Sequence, residues 1–146
     1  MNNYRQEWSG WLPLDAKIKH ERFAVYKIRL VTEDSKPFTL PRLFKKDMSG
    51  IMCIGQTTNM ERRRNQAYGA ISKGDGHSAM NLVFYLREFC NFDKRFANWN
   101  FQFNFSKCKS GHDAKKREDD LSKEYFREFG EVPPLNSVLP NRYDNW

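Results

Sequence analysis

Residues 99–105, which read WNFQFNF, constrain the fold more than any other part of this chain. An aromatic side chain occupies every second position, and amide side chains lie between them. Because successive side chains of a β-strand point to opposite faces of its sheet, this alternation predicts a strand with one apolar and one polar face. The aromatic row could also stack on nucleic-acid bases, but alternate aromatics on a strand more often pack together, and we expect a core role.

Two further strands are predicted. Residues 23–30 are rich in β-forming residues and alternate, so that Tyr26 shares a face with Ile28. The short apolar run 51–54 predicts a second strand. Residues 32–50 lie between them and contain two prolines and many charges, which indicates a long loop of the kind that is often functional.

Three helices are predicted. Asn59 can cap a helix over residues 60–71, whose basic face carries consecutive arginines. Ser78 can cap a second helix, and a third helix should run from Asp113 to Gly130. In the second helix, apolar residues at helical spacing are expected to lie on the core: Met80, Leu82, Val83, Leu86 and Phe89.

The size of the chain, 146 residues, suits one domain with a modest core. Residues 1–22 are polar with isolated tryptophans and are expected to form an arm packed on a single domain of residues 23–146. The 25 Lys and Arg outnumber the 18 Asp and Glu, and the formal charge of +7 favours a polyanionic partner. Charge alone does not identify that partner, since many basic proteins bind no nucleic acid.

The cysteines and the hydropathy pattern indicate the compartment. Cys53, Cys90 and Cys108 form no close pair and have no metal-ligand spacing, so we expect neither a disulfide framework nor a zinc site, and a cytoplasmic location is favoured. The N-terminal residues carry no apolar run typical of a signal peptide, and no later segment has the length needed to span a bilayer. No membrane association is therefore expected.

Two short segments carry the main functional signal: Ala24-Val25-Tyr26 and Cys53-Ile54-Gly55. An arginine-rich helix follows the second, and Arg63 lies ten positions after Cys53. Such an order can bring a phenol and a guanidinium to one phosphate. Further along, Glu118 lies on the third predicted helix, and Pro133-Pro134-Leu135-Asn136 follows that helix.

In this order the segments resemble the GIY-YIG nucleases, from about residue 23 to residue 136. The resemblance implies an α/β (α+β) fold in which a small three-stranded mixed sheet is flanked by helices. It also implies a divalent-metal-dependent DNA endonuclease of the phage, homing or restriction type. Gly76-His77-Ser78 before a helix is similar to a histidine element of the phage homing members.

The resemblance assigns roles to three residues. Glu118 would hold Mg²⁺ or Mn²⁺, since magnesium commonly uses few protein carboxylates. Arg63 would offer a planar fork to the phosphoryl oxygens, and Tyr26 would accept or relay the proton of the attacking water. The structural alternatives are a solvated helix glutamate, one arginine of a basic face, and a half-buried core tyrosine.

Further residues are assigned by position. His77 could assist proton transfer or bind phosphate, and Tyr68 could orient the nucleophile; a loop histidine and a core tyrosine are the alternatives. Asn136 is expected to tie the closing segment to the site. The residues expected to contact nucleic acid are Arg62, Arg64, Lys73 and Asn136.

Cys53 stands where the family has its second tyrosine, and a thiol is a weak hydrogen-bond donor compared with a phenol. This favours a second interpretation, a catalytically degenerate nucleic-acid-binding protein on a nuclease scaffold. A small protein that binds another protein is a third. For a nuclease we expect double-stranded DNA as the partner, with target selection in residues 32–50 and in the arm. A double-strand cut would favour a homodimer by symmetry.

Overall fold

A four-stranded sheet with helices on both faces forms the protein. The computed structural model describes residues 7–140, so the predictions made for residues 1–6 and 141–146 lie outside the described residues. The strands are β1 (Leu12–Pro13), β2 (Ala24–Val31), β3 (Leu40–Pro41), β4 (Lys46–Asp47), β5 (Ile51–Thr57) and β6 (Asn100–Lys107). The helices are α1 (Met60–Lys73), α2 (Ser78–Cys90), α3 (Phe92–Arg95) and α4 (Gly111–Phe129).

The main sheet has the strand order β1-β6-β2-β5, and each neighbouring pair is antiparallel. The α+β class is therefore confirmed, but the expected three-stranded mixed sheet is wrong in strand number and direction. The additional strand, β1, pairs Leu12 with Phe103 and Pro13 with Gln102 at the edge of the sheet. Proline is tolerated at an edge, where its missing N–H is not needed.

The main core lies between the sheet and the helices α1 and α2. Phe101, Phe103 and Phe105 are buried in it, so the core interpretation of the aromatic row is confirmed. Full burial of one such side chain stabilises a fold by about 1.5–3 kcal/mol. Asn59 caps α1 as predicted, because its side chain accepts a hydrogen bond from the backbone N–H of Arg62.

Only one side of α2 packs on this core. Met80 and Val83 are fully buried, whereas Leu82 and Phe89 are 41% and 78% exposed, so the predicted apolar face is wrong for the latter two. At about 100° per residue, Leu82 and Phe89 lie roughly 200° and 180° around the helix from Met80. The apolar residues of α2 therefore occupy two opposite faces, and the core covers one of them.

Helix α4 covers the other face of the sheet. Ser110 rather than Asp113 caps it, because the Ser110 side chain accepts a hydrogen bond from the backbone N–H of Asp113. The helix ends at Gly130, as predicted, in a left-handed conformation with φ of 73°. Its Tyr125 and Phe129 form a second apolar cluster with isoleucines of β5.

The described part of the N-terminal segment lies on the sheet. Trp8 forms an isolated antiparallel bridge with Ser106, and Leu14 is buried in the main core. The indole of Trp11 lies over the guanidinium of Arg29, with 4.2 Å between the ring centroid and Cζ. These contacts fix residues 8–14 against β6 and β2.

Residues 32–50 are not structureless. They contain a small sheet in which β3 and β4 pair, and the buried Asp47 anchors it. The Asp47 carboxylate accepts hydrogen bonds from the Tyr125 hydroxyl at 2.8 Å and from the backbone N–H groups of Ser49 and Ile51 at 2.8 and 3.1 Å. Within residues 7–140, no helix has both the length and the apolar character needed to cross a membrane.

Candidate active site

Several residues predicted for catalysis meet at the free edge of β5. This strand is the last in the order of the main sheet, so the outward side of its backbone is not paired with another strand of that sheet. A cavity of about 240 Å³ lies at this edge. The polar and glycine positions that line it include Tyr26, Cys53, Gly55, Gln56, Arg63, His77, Glu118 and Asn136. They come from two strands, two helices and two connecting segments, which the fold brings together.

Tyr26 reaches the edge by lying across Gly55. The two residues are direct partners in the β2 and β5 ladder. A Cβ atom at position 55 would lie 2.4 Å from the phenol oxygen and 2.5 Å from Cζ of Tyr26. Glycine at position 55 is therefore needed for the close approach of the ring, which gives the glycine of the Cys53-Ile54-Gly55 segment a physical reason.

Tyr26, Arg63 and His77 form one hydrogen-bonded group. His77 Nε2 lies 2.9 Å from Tyr26 Oη, and Arg63 Nε donates to the same oxygen at 3.3 Å. His77 Nδ1 accepts a hydrogen bond from the backbone N–H of Met80 at 3.2 Å. Because Nδ1 accepts, the proton of the neutral ring is on Nε2, which donates to Tyr26. The phenol oxygen thus accepts two hydrogen bonds, and its own O–H is available to a group in the cavity.

The hydrogen bond from the Met80 N–H to Nδ1 also makes His77 the cap of α2. Its side chain, and not that of Ser78, accepts the hydrogen bond from the first turn of the helix, so the predicted cap is wrong by one residue. His77 is 2% exposed. The helix therefore fixes both the position and the tautomer of the ring.

The side chains of His77, Tyr26 and Cys53, which line the cavity, are uncharged at neutral pH. Burial, with a smaller effect of the nearby Arg63, lowers the pKa of His77 to about 3. Burial raises the pKa of Tyr26 well above its ordinary value, and Cys53 adds to the rise while Arg63 opposes it. Burial also raises the pKa of Cys53 to about 12, so this thiol is neither a nucleophile nor a proton acceptor at neutral pH.

The segment after α4 closes one wall of the cavity. The backbone N–H of Leu135 donates to the carbonyl of Met52 at 2.9 Å. The Asn136 side chain accepts from the backbone N–H of Ile54 at 3.0 Å and donates to its carbonyl at 3.1 Å. Asn136 therefore ties the closing segment to β5. Its amide is already used in this way, so the geometry does not support the prediction that it contacts nucleic acid.

Glu118, like Asn136, contacts the backbone of β5 at its free edge. Gln56 is the next outward-facing residue of β5, and its backbone hydrogen-bonds the Glu118 carboxylate. Burial raises the pKa of Glu118, while this hydrogen bond and the positive charge of Lys115 oppose the rise. The carboxylate is thus partly desolvated at the wall of the cavity, where a cation would stabilise its charged form.

The donor set suits one kind of metal ion. Among the residues that the structure describes, no group of three or more His, Cys, Asp and Glu is arranged to hold a metal. A cage made entirely of protein ligands therefore does not fit at Glu118. Mg²⁺ fits, because it commonly binds through one or two carboxylates and takes waters and substrate phosphates as its other ligands.

Two predicted site residues lie elsewhere. Arg64 is 5% exposed and donates to the backbone carbonyl of Leu14 at 2.9 Å, so its position does not support the prediction that it contacts nucleic acid. It lies four positions after Met60 and three before Ala67, both buried, and this spacing could have revealed its inward face. Tyr68 is 53% exposed and lines a different cavity, so its position does not support the predicted role at the nucleophile. It lies about 140° around α1 from Arg63.

Arg62 and Lys73 occupy opposite ends of α1. Arg62 is exposed in the first turn, beside Arg63, and contacts the Thr58 hydroxyl at 3.5 Å. Lys73 is exposed in the last turn, about 15 Å along the helix from Arg63. Neither Arg62 nor Lys73 lines the cavity, but Arg62 is next in sequence to Arg63, which does.

Residues 32–50 lie at the other end of the sheet. Tyr26 is the third residue of β2, whereas this segment follows Val31 at the end of that strand. Arg42 forms an ion pair with Glu131, just beyond the C-terminal end of α4. The segment is therefore distant from the cavity, and its position does not favour the expected role in target selection.

The His77→Asn variant should be less sensitive to acid than the wild type. The folded-state pKa of His77 is lowered to about 3 from an ordinary 6.5, so its contribution to stability is present above about pH 6.5 and is lost as the pH falls towards 3. Asparagine can cap α2 in the same way but does not titrate. Thermal denaturation followed by circular dichroism from pH 8 to pH 3.5 measures the difference.

His77→Ala is the control for the cap itself. Loss of the cap should cost about 1 kcal/mol relative to His77→Asn at every pH, because neither residue titrates, and this variant should melt below both other proteins at pH 8. His20 and His112 are present in all three proteins and add the same background. Equal acid sensitivity of the wild type and His77→Asn would contradict a buried neutral His77.

The chain matches no protein-family model, no curated protein and no solved structure. The resemblance to the GIY-YIG nucleases therefore rests on the residues of this chain alone.

Proposed function

We propose that the protein is a divalent-metal-dependent endonuclease that hydrolyses phosphodiester bonds of double-stranded DNA, in the manner of the GIY-YIG nucleases. The observation that supports it is the convergence of Tyr26, Arg63, His77 and Glu118 at one cavity. These residues lie on separate segments of the chain, and each has the chemistry that hydrolysis of a phosphodiester requires.

Tyr26 is the proposed proton acceptor. The N–H groups of His77 and Arg63 both point at its oxygen, where they stabilise a phenolate more than a phenol. In the resting protein burial keeps Tyr26 protonated. Further positive charge in the cavity would lower the pKa of Tyr26, so that its proton passes to water in the cavity and a phenolate remains. The phenolate then takes the proton of the attacking water.

Arg63 is the proposed phosphate ligand. Its Nε is used by Tyr26, whereas its Nη1 makes long contacts of 3.3 Å to the Gln66 side chain and 3.4 Å to the Gly76 carbonyl. A phosphoryl oxygen is a stronger acceptor and can replace these long contacts. Arg63 would thereby hold the scissile phosphate next to the Tyr26 oxygen.

Glu118 is the proposed metal ligand. A bound Mg²⁺ or Mn²⁺ would supply Lewis-acid stabilisation of the phosphoryl and leaving oxygens. The Gln56 backbone and the α4 helix hold the carboxylate at the cavity wall. The phenol and the carboxylate line the same cavity, which agrees with separate roles for the attacking and leaving oxygens.

A catalytically degenerate nucleic-acid-binding protein is the second candidate. Cys53 favours it, because a buried thiol is a weak hydrogen-bond donor compared with the phenol that the family has at this position. This candidate predicts salt-sensitive DNA binding without cleavage. A homodimer belongs to the nuclease proposal and is tested with it, whereas a cytoplasmic location stays a prediction.

The experiment is a cleavage assay on supercoiled plasmid and on branched DNA at low salt. Mg²⁺ and Mn²⁺ are added separately, and EDTA replaces them in the control. Metal-dependent nicking or linearisation supports the nuclease, and a double-strand cut at fixed sites indicates a dimer. DNA binding without cleavage in either metal supports the degenerate protein, and absence of DNA binding at low salt contradicts both.

A further inference from the structure

Exposed basic residues lie at the end of the sheet that carries Tyr26 and Gln56. Ala24 pairs with Thr57 of β5 and with Lys107 of β6, so β5, β2 and β6 have ends in one row. Helix α1 begins just after Thr57, and α4 begins shortly after Lys107. We call this row the site end of the sheet, since Tyr26 and Gln56 lie next to it.

The N-terminal arm contributes to the site end. The backbone carbonyl of Arg22 accepts a hydrogen bond from the N–H of Met60 at 3.1 Å, and that of His20 accepts from the N–H of Glu61 at 3.0 Å. Residues 20–22 therefore lie against the first turn of α1. This places Arg22 beside Arg62, and both are exposed.

The opposite side of the site end is also basic. Lys107 is the last residue of β6 and is exposed. Lys115 is exposed in α4, three positions before Glu118, so the two side chains share one side of that helix. We call Arg22, Arg62, Lys107 and Lys115 the basic rim.

The basic rim is not neutralised by ion pairs in the described structure. The ion pairs of Arg42, Lys45, Arg87, Lys116 and Lys123 involve none of the rim cations. Glu21 and Glu61 lie on the same segments as Arg22 and Arg62 and reduce the local charge in part. An exposed cation that forms no ion pair is available to a phosphate.

We propose that the basic rim holds the DNA backbone on both sides of the scissile phosphate. The inference rests on the proposed nuclease function and adds where the duplex lies. Four cations from the arm, α1, β6 and α4 flank a cavity whose own residues bind one phosphate. These contacts are to phosphates and carry no base information, so they position the duplex without selecting its sequence. Residues 20–22 of the arm, and not residues 32–50, are then next to the DNA.

The test compares two double variants of equal charge. Arg22→Glu with Lys107→Glu changes the basic rim, and Lys36→Glu with Lys46→Glu changes exposed lysines at the other end of the sheet. Each pair removes the same formal charge, so the overall attraction to DNA falls equally. None of the four residues is assigned to the catalytic group.

Binding is measured by fluorescence anisotropy on a labelled 20-base-pair duplex with EDTA, in a series of KCl concentrations. We expect the rim variant to bind at least about tenfold more weakly than the wild type and to lose about two units of the slope of log K against log salt, one per phosphate contact. The control variant should bind within about threefold of the wild type. Circular dichroism checks that all three proteins are folded.

The outcomes separate this inference from the proposed function. The proposed role of the basic rim is overturned if both variants lose affinity equally or if neither loses affinity. In either case the proposed nuclease function stands if the wild type cleaves DNA. A wild type that binds no duplex at low salt overturns both. In the cleavage assay, the rim variant should show a raised KM with kcat kept, because its residues do not touch the reacting atoms.

Discussion

The Glu118→Gln variant should bind duplex DNA as the wild type does and cleave it at least about a thousandfold more slowly. Glutamine keeps the size of the side chain and can still accept the hydrogen bond from the Gln56 backbone. It removes the charge that holds the cation, and the stabilisation that a metal ion supplies to a transition state is several kcal/mol, where about 1.4 kcal/mol is tenfold in rate. Single-turnover cleavage in saturating Mg²⁺ measures the loss.

Glu124→Gln is the matched control. Glu124 is an exposed glutamate on the same helix and does not line the cavity at the edge of β5. This variant should cleave within about threefold of the wild type, since surface substitutions rarely affect a distant site. If Glu118→Gln cleaved as fast as Glu124→Gln, the metal role of Glu118 would be wrong.

A melting temperature of Glu118→Gln equal to or above that of the wild type is expected, because burial disfavours the charge that it removes.

The Gly55→Ala variant should cleave DNA about a hundredfold more slowly. The added methyl group would lie 2.4 Å from the Tyr26 oxygen, far inside van der Waals contact, so the phenol must move away from Arg63 and His77. A displacement of about 1 Å at a reacting group can cost a hundredfold in rate. Overpacking should also lower the free energy of unfolding by about 1–3 kcal/mol, which denaturation in urea measures.

Gly69→Ala provides the comparison for this change. Gly69 lies inside α1, and a Cβ atom there meets nothing within 4 Å. Alanine is favoured over glycine in a helix by about 1 kcal/mol, so this variant should be more stable than the wild type and cleave at the wild-type rate. Wild-type activity in Gly55→Ala would show that the close approach of Tyr26 to β5 is not required for catalysis.

The regular elements could be predicted because their signals are local. The alternation of residues 99–105 needs no partner to be recognised, and it corresponds to β6. The cap at Asn59 and the stop at Gly130 depend only on adjacent backbone groups, and both are present in the structure. The two-residue strand β1 has no periodicity, because its pairing with β6 depends on how the arm crosses the finished sheet.

Parts of the site depend on geometry that sequence spacing cannot give. Tyr26, Arg63 and Glu118 were predicted from the resemblance to the GIY-YIG nucleases, and these residues do line one cavity. The hydrogen bond from Met80 to His77 was missed, because histidine is not a usual cap and Ser78 is adjacent. The inward side of Arg64 was missed because a run of three arginines reads as one basic face unless buried neighbours are considered.

The wall of the cavity links activity to the completion of folding. Asn136 is 82 positions from Ile54, the residue to which it binds, so Tyr26, Arg63 and His77 leave the ribosome well before the wall can form. Contacts of such wide sequence separation form late, since closing a long loop costs entropy before the contact stabilises it. If the protein is the proposed nuclease, a nascent chain lacks one wall of the site until residue 136 has been made and has reached β5.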